Sequence, residues 1–542
     1  MAGHYRPVNR DQAYLVPPSL TEWLPVEHPV FFVIEVIKDL APDLKAFARR
    51  KALGGSGRAA YDPMMLVTLL VYASWQGVRS SRQIEARCHT DVAFRIICAQ
   101  DPPDHTTISR FRKVTAVAFA DLFAQILLLC AREGMGQFGK VAIDGTKIAA
   151  NASKSANLSL ARARQIARAE VDAGLAADAD ADTDVDAPPP APLRDRSARR
   201  ERLARVRAEL EAEQARLDQA AQAAGQQAAE YTAAIASGAQ RPGRRPAGAD
   251  AVAVARARHQ RAVARQQAAV EDYRREHALP LQQRSRHLGA PPAPVQRSGR
   301  VQRARQALEQ AEQQAEQQAE QQGTAGPAGQ PRDGRKPKQP KQSTRNLTDP
   351  DSRLMPSKDG WVQGFNAQAA VTEDHLIVAV QLSTNPADVL HAIPMMNAAQ
   401  AAATTIAEHT GRVDTTIGIA LFDAGYNSDA NLRAPGPDRL IATGKRRAQE
   451  HAATTNPTTG PPPTNATPRQ AMRHRLRTPE GIRTYRKRGA IVEPIFGHLK
   501  DITGLRRFLT RGLATTTAEL HLAAATLNLR RLFTYTAQGA TA

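Results

Sequence analysis

Apolar residues come in short blocks at both ends of this chain and thin out through its middle. Before Gly136 the blocks have helical length. Pro29 to Leu40 and Pro63 to Trp75 are compact apolar runs, and Ser80 or Ser81 is a plausible cap for a further helix. Another helix opens at Asp104, with Thr106 or Thr107 expected as its cap, and a strongly apolar one runs from about Val114 to Arg132. Residues 139–150 (GKVAIDGTKIAA) read as a strand. Far downstream, strands are expected at Trp361 to Val371, Leu376 to Leu382, Thr416 to Phe422 and Arg439 to Thr443, with a helix from His391 to His409. From Thr484 the pattern is helix, loop, helix.

The middle, from about Leu158 to Gln342, is rich in Ala, Gln, Arg and Glu. The acidic, proline-rich stretch ADADADTDVDAPPPAPLRDR reads as a linker. Leu203, Val206, Leu210 and Leu217 keep heptad spacing, as do Val301, Ala304, Leu308, Ala311 and Ala315. Val252 to Tyr273 lies between them as another helix. Paired helices in a long insertion are expected, ending in a basic tail (GQPRDGRKPKQPKQSTRN) too polar to fold. The organisation is therefore a helical module at 1–136, a split α/β domain at 137–157 and 346–536, an insertion at 158–345 and a short tail at 537–542.

Charge narrows the class. Lys and Arg total 73 against 53 Asp and Glu, a net +20 over 542 residues, which favours a polyanion such as nucleic acid. Cys88, Cys98 and Cys130 form no CxxC pair and lack the ligand count of a zinc site; they read as buried thiols of a reducing compartment. The amino terminus has no apolar signal region. Met64 to Ala73 is the longest apolar stretch, well short of the roughly 20 residues a bilayer needs. No membrane and no small-molecule substrate are expected, and the location expected is cytoplasmic, on the nucleoid.

Three acids stand out. Asp144 and Asp423 each close an apolar strand, and Glu493 lies on a helical pattern. Asp before Gly or Ala is also ordinary turn chemistry, and an acid near a helix N-terminus is favoured by the dipole alone. As a set, however, three carboxylates suit Mg2+ or Mn2+, which prefer such oxygens. Two ions shared by carboxylates activate water and stabilise a leaving oxygen on phosphate, so phosphodiester chemistry leads. Arg110, Arg112 and Lys113 decorate a helix in what reads as a helix-turn-helix-like DNA-binding module; the bland alternative is a bundle with solvated arginines.

Joined across the insertion, the outer pieces run strand (Asp144), strand, strand, helix, strand (Asp423), strand, helix (Glu493). That is the element order of a ribonuclease-H-like α/β domain with a mixed five-stranded sheet. With YDPMMLVTLLVYASWQGVRSSRQIE, PDHTTISRFR, AIDGTKIAANAS, DAGYNS and YRKRGAIVEPIFGHLKDITGLRRFLTRG, the chain resembles bacterial insertion-sequence transposases of the DDE type, most closely the eleven-eighty-two branch. The resemblance implies that Asp144, Asp423 and Glu493 are both catalytic residues and metal ligands. It further implies Tyr485, Arg488 and Lys500 as DNA-gripping positions of a Tyr-Arg-Glu-Lys signature, in which Arg488 stands one residue farther from Glu493 than the usual spacing. Arg506 and Arg507 would extend the basic surface. The implied partners are double-stranded DNA, as terminal inverted repeats and target, and a second copy of the chain in a synaptic dimer. A retired DNA-binding derivative, a structural coiled-coil protein and a nuclease without strand transfer are the rival readings.

Overall fold

The computed structural model describes residues 19–47, 60–179, 196–238, 245–246, 248–280, 283, 289–323, 343–357 and 360–539. The first 18 residues, most of the acidic linker and nearly all of the basic tail lie outside this set, and the expectations placed there with them.

Proline and acid caps begin the amino-terminal helices. α1 (Pro29–Leu40) and α2 (Pro63–Trp75) each start at a proline whose missing N–H costs nothing there, and Asp62 accepts from Met64 N at 2.9 Å. α3 (Ser81–Thr90) is followed at once by α4 (Val92–Ile97), which Asp91 caps. α5 (His105–Val114) is capped by Asp104. Its Oδ1 accepts from the N–H groups of Thr106 and Thr107 at 2.9 Å each, so the threonines expected to cap are already inside the first turn. A turn over Thr115 to Val117 then separates α5 from α6 (Ala118–Arg132).

β1 (Lys140–Ala149) follows, then the three-residue β2 (Asn157–Ser159). The insertion holds α7 (Leu160–Ala179), the long α8 (Arg196–Ser237), α9 (Ala251–Ala278) and α10 (Gly299–Gly323). Residues 159–186 and 207–343 form a compact unit of their own. Within it α9 and α10 lie together, with Arg256 reaching Glu312 at 3.1 Å. Leu203, Val206 and Leu210 are buried, but Leu217 is 52% exposed, so the heptad seam of α8 ends before it.

The chain returns through β3 (Thr344–Asn346), which pairs with β2. β4 (Arg353–Ser357), β5 (Gly360–Thr372), β6 (Ile377–Ser383), α11 (Ala392–Thr410), β7 (Ile419–Phe422), α12 (Asp429–Arg433) and β8 (Asp438–Ile441) follow. The last helices are α13 (Arg446–Thr455), α14 (Pro468–Arg477), α15 (Pro479–Asp501) and α16 (Leu513–Gly539). β1 runs antiparallel to β5 and parallel to β7, β7 is parallel to β8, and β6 pairs antiparallel with β5. The sheet has six strands rather than the five expected. The sixth, β4, forms a hairpin with the start of β5; its Pro356 hides it in the sequence and suits an edge position.

The boundary expected at residue 136 does not separate two cores. α16 packs against both α6 and β6, and the amino-terminal helices share one hydrophobic cluster with the sheet. The Asn528 carboxamide accepts from Ile377 N at 3.0 Å and donates to Ile377 O at 2.8 Å, completing a backbone edge that would otherwise be buried unpaired. Among the described residues no single helix is long and apolar enough to cross a membrane.

Candidate active site

The sheet brings the two strand-borne acids together. β1 and β7 run parallel in register up to Ile143 and Phe422, and the next residue on each is Asp144 and Asp423. β7 stops there, whereas β1 continues to Ala149, so Asp144 sits inside its strand rather than at the end expected for it. The Gly145 N–H donates to Asp144 Oδ1 at 2.8 Å, and the Gly425 N–H to Asp423 Oδ1 at 2.7 Å. Burial pushes the Asp144 carboxyl above the usual carboxylate range, against the pull of Arg488. Burial, and then the charge of Asp144, raise Asp423 likewise.

α15 crosses this pair. Arg488, whose side chain is 13% exposed, donates from Nη1 to Asp144 Oδ2 at 2.8 Å, and its Nη2 lies 3.8 Å from Glu493 Oε1. Burial works against the guanidinium charge, but Asp144, Tyr485 and Asp423 hold its pKa above the ordinary value. Arg488 is thus turned inward onto a carboxylate. Tyr485 is buried beside it, its pKa raised by that burial. Lys500 donates to Thr146 Oγ1 at 2.7 Å. Glu493 is 60% exposed and sits mid-helix, not at an N-terminus. Among the described residues no three His, Cys, Asp or Glu side chains stand close enough together to hold one ion; Asp144 and Asp423 are the near pair and Glu493 stands outside it. That pair fits a hard divalent cation in its donor chemistry: two oxygen donors that burial, and for Asp423 the charge of Asp144, disfavour as anions.

The basic residues divide by exposure. Arg506 is exposed and paired with Asp501, and Arg507 is exposed. Arg110 and Lys113 are exposed on one face of α5. Arg112 is half-buried and donates to the Arg79 carbonyl at 2.6 Å. Its Nε finds no partner, and burial pushes its pKa down to about 10. All three line a cleft of about 1080 Å3 between α3, α5 and the loop at Leu509 and Thr510, with no carboxylate among its lining residues.

Asp388 escapes sequence reading. It lies before α11 and joins Lys147, Asn366 and Gln368 behind the acid pair; a lone Asp in a polar loop gives no signal of this.

Residues 18–114 match the family described as a transposase domain (DUF772), and residues 444–533 match the transposase DDE domain family. The first covers α1 to α5; the second covers α13 to most of α16, including Glu493 and Arg488 but neither strand-borne acid. No curated protein and no solved structure matches the chain. Both matched segments, the helical module and the acid-bearing helix, belong to transposase families, and together they support a bacterial insertion-sequence transposase of the DDE type.

Proposed function

We propose that the protein binds the terminal inverted repeats of its element, cuts DNA there and joins the freed 3′ ends to target DNA. The observation that carries this reading is the meeting of Asp144 and Asp423 on adjacent parallel strands under α15, which brings Arg488 and Glu493. The strand order β6-β5-β1-β7-β8, with β1 antiparallel to β5 and parallel to β7, supports a ribonuclease-H-like domain; the eleven-eighty-two branch rests on the sequence motifs alone.

Asp144 and Asp423 would hold Mg2+ or Mn2+, with Glu493 as third acid and two ions per site. When bound, such a cation would supply Lewis acidity to a phosphodiester. The chain's own residues position. Arg488 orients Asp144, Lys500 and Thr146 extend the polar floor, and the exposed Arg506 and Arg507 suit phosphate contacts. In the first step a water oxygen bonds to phosphorus and the 3′ oxygen leaves, taking a proton. In the second that 3′ hydroxyl attacks a target phosphodiester, so one P–O bond forms as one breaks. Synapsis of two ends calls for two copies of the chain.

Cleavage of a labelled element-end duplex in Mg2+, by the native chain and by Asp423→Ala, tests this. Nicking by the native chain alone supports it, and joining of pre-cut ends to a target plasmid extends it to strand transfer. Binding without cutting by either would favour a DNA-binding derivative, and cutting without joining a nuclease.

A further inference from the structure

Lys147 is registered with Asn366, and Gly145 with Gln368, so these side chains share one face of the sheet. Lys147, Asn366 and Gln368 all donate to one oxygen, Asp388 Oδ1, at 3.0, 2.7 and 3.0 Å. Gln368 also accepts from the buried hydroxyl of Tyr426, three residues beyond Asp423. The network lies against Gly145, next to Asp144, and Gly425, two residues beyond Asp423. A Cβ on Gly145 would lie 2.1 Å from Gln368 Nε2 and 3.0 Å from Asp388 Oδ1. One on Gly425 would lie 3.0 Å from Asp423 Oδ1 and 3.6 Å from Asp388 Oδ2. Asp388 therefore lies close behind both acids, and its second oxygen is turned toward the Asp423 loop. An ion pair formed for folding alone, between Asp388 and Lys147, would not require that placement.

We propose that Asp388 is a positioning residue for the Asp144–Asp423 pair: it backs Gly145 within β1 and the turn at Gly425, and its negative charge sets how tightly the pair takes a divalent cation. This rests on the metal-dependent reading above. Asp388 adds a third carboxylate to the pair's two, opposite Lys147 and Arg488, and Glu493 stands beyond Arg488. Removing Asp388's charge lessens the net negative field, and removing that of Lys147 deepens it. The two changes must act on cation binding in opposite directions.

The test is Mn2+ binding by the full chain, read as the loss of the free-ion electron paramagnetic resonance signal, with thermal unfolding in EDTA as a fold control. Asp388→Asn keeps the acceptor and is expected to weaken Mn2+ binding about tenfold, as for outer-shell partners of metal ligands. Lys147→Met is expected to tighten it, and Asp388→Glu to stay nearer the native value than Asp388→Asn. Unchanged binding in Asp388→Asn, or a loss in both Asp388→Asn and Lys147→Met, overturns the proposal while leaving the metal reading intact. If Asp388→Asn does not fold, tighter or unchanged binding by Lys147→Met decides for or against. A native chain that takes up no Mn2+ sinks both.

Discussion

Asp423 is held by one backbone N–H and opposed by burial and by Asp144. Its folded pKa lies above its unfolded one, so its contribution to stability is fully present only below the unfolded value of about 3.9 and is lost as pH rises through the folded value. At neutral pH the charged form is a net cost. Asp423→Asn, measured by urea unfolding in EDTA at pH 7, is expected to stabilise the chain by roughly 0.5–2 kcal/mol while abolishing cleavage, the usual trade at an active site. Lower stability would show that the Gly425 hydrogen bond outweighs the repulsion. Arg488 makes the converse case, because its guanidinium spans Asp144 and Glu493 from one buried position. Lysine has one point of charge and no fork. Arg488→Lys is therefore expected to slow cleavage about 10- to 100-fold, the cost of disturbing a ligand's partner, with the affinity for an element-end duplex unchanged. A loss of affinity with intact cutting of bound DNA would instead return Arg488 to phosphate gripping. The elements that carry the three acids were legible in the sequence, because strand and helix patterns are recognisable around them. The inward turn of Arg488 was not, since spacing gives the face of a helix but not which partner a long side chain finds.

α15 is a 23-residue helix interrupted by Pro494, which cannot donate to the Ala490 carbonyl. His375 fills that gap, its Nε2 lying 2.9 Å from Ala490 O, from a positive-φ position in the β5–β6 turn. The same turn carries Glu373, which pairs with Lys487 of α15 at 2.6 Å and Lys140 of β1 at 3.0 Å. The turn thus clamps the acid-bearing helix to the acid-bearing strand. The Lys487 hydrogen bond, with help from Lys140, holds Glu373 below its ordinary pKa. That sign makes its contribution present above the unfolded value of about 4.3 and lost as pH falls through the folded one. Glu373→Gln should be less stable than the native chain at pH 7 by no more than about 1 kcal/mol, given partial exposure, and the gap should close at pH 3. A gap that persists there would mean shape rather than charge. The elements with clean periodicity, β1, β5, β6, α11 and α16, could be read directly from the chain. β4 and α12 to α14 could not. They are short or polar, and what fixes them is capping, as in the Thr467–Gln470 box of α14, and pairing with segments brought near by the fold.

At the scale of the molecule, a net charge of +20 says only that a polyanion is attracted; the fold decides where. Arg79, at the start of α3, donates to the carbonyls of Gly504 and Arg507 and pairs with Glu519, which also accepts from the Leu509 and Thr510 N–H groups. Phe508 in turn bonds to Ala149 at the end of β1. The carboxylate-free cleft on α5 is therefore fixed to the strand that carries Asp144. Composition could suggest the partner, but this route joins residues hundreds of positions apart and depends on the shared core. Arg110 and Lys113 are the exposed cations of the cleft face of α5, whereas Arg112 is committed to the Arg79 carbonyl. If the first two neutralise phosphates, Arg110→Ala with Lys113→Ala should flatten the slope of log K against log salt by about 0.9 per lost contact, near 1.8 in all. Fluorescence anisotropy with an element-end duplex across a salt series measures this. Arg112→Ala should instead lower thermal stability and leave that slope unchanged, because a buried guanidinium with a backbone partner releases no counterion. Equal slopes for the native chain and the double variant would move the DNA path off α5 and onto the Arg506–Arg507 side of the site.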